Sequence, residues 1–125
     1  MAWSIRYMSR FAPEEARRLW EAYKSHFKVN LMGMAGFREW LLKTESFEDI
    51  DSGPIILGVG ASATAFAVGA SKAVGDDPTY WRLKATSYFV KGIINLMPAE
   101  ELKYLENMVM AKAIELNNDT QVRWY

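Results

Sequence analysis

Two aspartates stand two residues apart in the string Asp49-Ile50-Asp51-Ser52-Gly53-Pro54, just ahead of a long uncharged stretch. Paired carboxylates divide acid and base work between them when burial or a neighbouring charge separates their pKa values. A helix that begins just beyond them would offer free N–H groups and a positive dipole end to an anion or a ligand hydroxyl. Arg38, Glu39, Trp40 and His26 could complete a polar, aromatic-lined sugar pocket, in which a ring supplies stacking area and the carboxylates take hydroxyl protons. Asp49 and Asp51 are therefore the candidate catalytic residues, and Arg38, Trp40 and Ser52 the candidate substrate-binding residues. The plainer reading has Asp51 or Ser52 capping the helix and Glu45, Glu48 and Asp49 solvated. Spacing alone favours the plainer one. Carboxylates at i and i+2 suit calcium weakly, but the oxygen count is low and full EF-hand spacing is absent. No metal and no cofactor is expected.

Other chemistries are narrower still. The chain has no cysteine and one histidine, His26. Thiolate metal sites, disulfides and cysteine nucleophiles are excluded, as is a pair of histidine ligands. His26 lies between Tyr23 and Phe27 on an expected helix and reads as a boundary residue. Fifteen basic residues balance fifteen acidic ones over 125 residues, so no basic stripe points to nucleic acid. The first residues lack the long apolar run of a signal peptide. If the chain belongs to a longer protein, an export signal would lie on the other part.

The elements that must position these residues read as mostly helical. Trp3 to Met8 alternates loosely and suggests an extended lead-in. Pro13 suits a first helical position, and Glu14 and Glu15 follow in the first turn. Ala16, Leu19, Trp20, Tyr23 and Phe27 then share one face at helical spacing. Asn30 to Gly36 is rich in breakers, and Phe37 to Leu42 suggests a short helix. Asp77-Pro78 opens a helix with Asp77 as its cap, and Trp81, Ala85, Tyr88, Phe89, Gly92, Ile93 and Leu96 line its apolar side. A last helix is expected from Pro98, with Leu102, Leu105, Val109, Ala113 and Leu116 in one stripe.

Between these helices, Pro54 to Ser71 runs 18 residues without a charge, and Ala61, Ala65 and Gly69 recur four apart. That length is the minimum for a transmembrane candidate, and small residues at this spacing let helix backbones approach closely. Alanine, glycine and serine contribute little to membrane transfer, however. Gly58 and Gly60 delay the helix to near Gly60. A buried core helix is favoured over membrane contact. The expected fold is all-α: four to five helices in antiparallel hairpins around this small-residue helix, forming one domain over 1–125 or part of a larger one.

Gly36-Phe37-Arg38-Glu39-Trp40, the Asp49–Pro54 turn, the string Gly58 to Phe66 and the closing Gly75-Asp76 together resemble the C-terminal part of a group of uncharacterised bacterial proteins, often membrane-anchored or exported. That group is similar in architecture to (α/α) toroids, the fold of many glycoside hydrolases. The resemblance covers about a third of the chain. It implies a toroid-like fold with Asp49 and Asp51 facing a central cavity and Arg38 and Trp40 nearby. A closed toroid needs several hundred residues, so a chain of 125 would be a fragment, a shrunken relative, or one that completes its core by self-association.

Three functions follow as expectations. The first is a carbohydrate- or small-molecule-binding (α/α) domain fragment, related to hydrolases. The second is a non-catalytic helical interaction module, whose partner is its own copy or the remainder of a larger helical chain. The third is a membrane-associated protein that uses residues 54–71.

Overall fold

The computed structural model of the chain describes residues 1–38, 55, 56, 59–96 and 98. Within them the fold is mostly helical, with four helices and two short β-hairpins. The helices are α1 (Ala2–Met8), α2 (Pro13–Phe27), α3 (Ala61–Val74) and α4 (Asp77–Asn95). The hairpins pair β1 (Lys28–Leu31) with β2 (Met34–Phe37), and β3 (Ile55–Ile56) with β4 (Val59–Gly60).

The small-residue helix lies inside. Thr64, Ala67, Val68, Gly69, Ala70, Ser71, Ala73 and Val74 of α3 are buried, and α1, α2, α4 and β2 all pack against it. Alanine and glycine keep the helix thin, so these elements approach its backbone from several sides. Among the described residues, no helix is long and apolar enough to cross a membrane.

The expected face of α2 is the one that packs. Ala16, Trp20 and Tyr23 are buried, with Leu19 and Phe27 against the same cluster. Phe37 from β2 completes it, with its ring stacked on Tyr23 at 4.9 Å and 8° and tilted against Trp20 at 5.5 Å. Glu14 and Glu15 occupy the first turn and Lys24 the last, each complementing the helix dipole; His26 also lies in the last turn.

Two expectations are corrected. The lead-in at Trp3 to Met8 is helical rather than extended. Ala2 and Ile5 face the core and Ser9 is buried just beyond, a spacing of three and four that marks a helix. Phe37 belongs to a strand, not to a short helix; of the expected span Phe37 to Leu42, residues 39–42 lie outside the described residues. The all-α expectation holds coarsely, since the described residues are mostly helical, and the breaker-rich stretch at residues 28–37 adds a β-hairpin. Its two-residue loop, Met32-Gly33, has φ of 47° and 86°. Positive φ at both central residues is the requirement of a type I′ turn, whose twist matches that of paired strands.

Hydrogen-bond alternation explains how β2 is held. In an antiparallel pair every second residue points its amide groups away from the partner strand. Ala35 and Phe37 do so here, and helix side chains satisfy them. Thr86 Oγ1 donates to Ala35 O at 2.7 Å and accepts from Ala35 N at 3.2 Å. Thr64 Oγ1 accepts from Phe37 N at 3.0 Å. Gly36 sits between them, where an added Cβ would lie 2.6 Å from Val59 Cγ1.

Candidate functional site

The turn from α3 to α4 carries the densest polar network among the described residues. Gly75 ends α3 at φ 78°, a left-handed conformation that glycine adopts without steric penalty. Gly75 N–H then reaches Lys72 O at 3.2 Å and Asp76 N–H reaches Ser71 O at 2.9 Å, the paired bonds of a Schellman closure. Asp76 at once begins α4. Its carbonyl accepts from Tyr80 N–H at 2.9 Å and its Oδ1 from Thr79 N–H at 3.2 Å. The cap of α4 is therefore Asp76, one residue earlier than expected; Asp77 is the first helical residue.

The other carboxylate oxygen reaches α2. Asp76 Oδ2 accepts from Trp20 Nε1 at 2.8 Å and from Lys24 Nζ at 2.7 Å. Lys24 Nζ also lies 2.8 Å from Glu21 Oε1. Burial by itself would raise the Asp76 carboxyl. Hydrogen bonds from Lys24, Trp20 and Thr79 outweigh it and bring the pKa down to about 2. Burial opposes the charge of Lys24, but Asp76 and Glu21 prevail and raise its pKa. Nearby Lys28, whose Nζ donates to Thr79 Oγ1 at 3.2 Å, is lowered by burial. Arg17, Trp20, Glu21, Lys24, Asp76 and Pro78 border an open cavity of about 400 Å³. A carboxylate held this far below neutrality keeps its charge through the physiological range. This cluster staples α2 to the α3–α4 turn.

The second feature is the outer surface of α4. Trp81, Tyr88, Phe89, Ile93 and Leu96 are 64%, 64%, 55%, 47% and 87% exposed, whereas Leu83 is fully buried. The stripe expected to line the core therefore faces away from it. The packed face instead carries Thr79, Leu83 and Thr86; the Thr86 hydroxyl bonds to the backbone of Ala35 in β2, and that of Thr79 accepts from Lys28 Nζ. At helical spacing the outward stripe spans roughly 140° of arc on the side opposite Leu83. Lys84 Nζ lies 5.2 Å from the centre of the Tyr88 ring.

Of the residues proposed from sequence, Arg38 and His26 are described. Arg38 follows β2, partly buried, and its N–H donates to Phe27 O at 2.9 Å. Asp49, Asp51, Ser52 and Trp40 lie outside the described residues, as does the expected helix from Pro98 onward apart from Pro98 itself. His26 is exposed, with Nδ1 2.8 Å from Ala22 O and 2.9 Å from Ser25 Oγ. Among the described residues, no group of three acidic or histidine side chains could hold a metal ion. Sequence reasoning missed Asp76 as a hub. Its signal was present in Gly75-Asp76 followed by Thr79, a glycine stop with an aspartate three residues ahead of a backbone donor.

No protein-family model matches the chain, and no curated protein and no solved structure matches it either.

Proposed function

We propose that the chain is a non-catalytic helical interaction module and that α4 is its docking element. One observation carries this reading: the larger apolar stripe of α4 is open, while the opposite side packs through Thr79, Leu83 and Thr86. Five large side chains left in water form a patch of the kind that marks an interaction site. The finer form of the fold, antiparallel helical hairpins resembling part of an (α/α) toroid, agrees with this role. The tight Gly75-Asp76 link between α3 and α4 supports a hairpin, and in layered helical architectures the next hairpin covers the outer face of the last.

Stability measurements on paired variants test the reading. Leu83→Ala removes a fully buried side chain and is expected to cost about 2–5 kcal/mol. Phe89→Ser and Ile93→Ser, on the open face, are expected to stay within about 1 kcal/mol of the parent. If the two open-face variants destabilise the isolated chain as much as Leu83→Ala does, the face is already covered within the chain and α4 has no docking role.

A further inference from the structure

We propose that the side-chain amine of Lys28, where α2 passes into β1, is a modification site that takes a small acyl group from a thioester.

Two lysines one helical turn apart set the contrast. Lys28 closes α2, with its backbone N–H bonded to Lys24 O. Both side chains reach the start of α4, but they meet different partners there. Lys24 Nζ lies 2.7 Å from Asp76 Oδ2 and 2.8 Å from Glu21 Oε1. Lys28 Nζ donates instead to the neutral Thr79 hydroxyl at 3.2 Å. Asp76 directs Oδ2 to Lys24 and Trp20 and Oδ1 to the Thr79 N–H. Among the described residues, no carboxylate forms an ion pair with Lys28.

Two anions and two cations surround the Lys28 amine. Asp76 of the α3–α4 turn and Glu21 of α2 favour its ammonium form, while Lys24 of α2 and Arg82 of α4 oppose it. Partial burial then decides, because taking the amine out of water disfavours the charged form. The Lys28 pKa is lowered, chiefly by burial, whereas that of Lys24 is raised by its carboxylate partners. A lysine so placed spends more time as the neutral amine, and the neutral amine is the nucleophile.

The neutral nitrogen attacks the carbonyl carbon of the thioester. A C–N bond forms as the C–S bond breaks, the thiolate leaves with the electron pair, and the nitrogen passes its extra proton to water. The product is a neutral amide whose N–H keeps a donor for Thr79. The pairing of Lys24 with Asp76 and Glu21 is left intact. Acylation thus removes one positive charge beside α4 and breaks no ion pair among the described residues. Lys28 is half-buried, which favours a small acyl group.

The test treats the full chain with S-acetyl-N-acetylcysteamine, a small acetyl thioester, and follows each lysine by peptide mass spectrometry. Lys28 is expected to react about threefold or more faster than exposed Lys91, and Lys24 more slowly than either. The Lys28 rate should level off at a pH below the ordinary lysine range. Unfolding in urea should erase the preference. Arg82→Glu sets an anion beside the amine and should cut the preference by about half or more. Lys28→Gln, which ends in a neutral amide, should keep the melting temperature, and Lys24→Gln should lower it. Equal rates at Lys28 and Lys91 overturn the proposal. So does a preference that survives in urea or in Arg82→Glu, or a melting temperature that falls as far in Lys28→Gln as in Lys24→Gln.

Discussion

The Asp76 carboxylate accepts a hydrogen bond from the Trp20 indole at 2.8 Å, joining residues 56 apart in sequence. The same side chain caps α4 and pairs with Lys24. One carboxylate thus fixes where α4 starts and where α2 lies against that start. The two roles separate by substitution. Asparagine keeps an oxygen for the Thr79 amide and removes the charge that Lys24 faces; alanine removes both. Asp76→Asn is expected to cost about 1–2 kcal/mol and Asp76→Ala about 3–4 kcal/mol, read from urea unfolding at neutral pH. Equal losses would show that the cap contributes little and the ion pair nearly everything.

Acid should weaken the fold through the same group. The folded Asp76 pKa of about 2 lies below the ordinary aspartate value of 3.8. A depressed carboxyl pKa stabilises the folded state above the unfolded value, and that stabilisation disappears as pH falls through the folded one. The loss therefore falls between about pH 4 and pH 2 and amounts to roughly 2 kcal/mol. Lys24 has the opposite sign. Its raised pKa stabilises below the unfolded value and is lost as pH rises through the folded one, above the ordinary lysine range. Thermal melts from pH 7 to pH 2 on the parent and on Asp76→Asn check this. The parent should lose its advantage over the variant across that acid window, and a gap that stays constant would remove Asp76 from the account.

Two positions in the first hairpin, one in its turn and one in its second strand, predict opposite signs. Met32 is fully exposed and holds φ 47°, a left-handed conformation that costs a side chain such as methionine roughly 1 kcal/mol. Met32→Asn should therefore stabilise by about 0.5–1 kcal/mol, because asparagine tolerates that region and favours this turn. Gly36→Ala should do the reverse. Its new methyl would meet Val59 at 2.6 Å, and the overpacking is expected to cost about 1–3 kcal/mol. Chemical denaturation of both variants measures the pair; a neutral Gly36→Ala would mean that β2 and β4 separate without penalty.

How much of this was legible in the chain depends on which force set each element. α2 and α3 follow from the sequence because Pro13, the Trp20–Tyr23 face and the uncharged run are local signals, and packing agrees with them. The small residues of α3 announced burial on many sides, and that is where α3 lies. The first hairpin was hidden because its turn uses Met32-Gly33 rather than asparagine–glycine, and because Ala35 and Gly36 carry little strand propensity. α4 misled for another reason. Its larger apolar stripe reads as the packed one, but the strand amides of β2 draw Thr86 inward, and Trp81 and Phe89 face out. That choice is tertiary, and periodicity cannot report it. Of the expected carboxylate pocket, Arg38 and His26 are the proposed members within the described residues.

Thr86 provides the sharpest check on that explanation. Its hydroxyl serves both backbone groups of Ala35, at 2.7 Å and 3.2 Å, and also lies 3.1 Å from Arg82 O within its own helix. Valine has nearly the same shape and no hydroxyl, so Thr86→Val leaves the Ala35 N–H and C=O without their helix partner. An unsatisfied group in such a place costs about 1–3 kcal/mol. Thr86→Ser keeps the oxygen and should lose well under half as much. Amide hydrogen exchange separates a general loss from a local one. Ala35 should exchange markedly faster in Thr86→Val, while Phe37, whose N–H goes to Thr64, should follow only the drop in global stability. If Ala35 is protected equally in both variants, the hydroxyl does not hold the strand, and the outward turn of the α4 stripe needs a different cause.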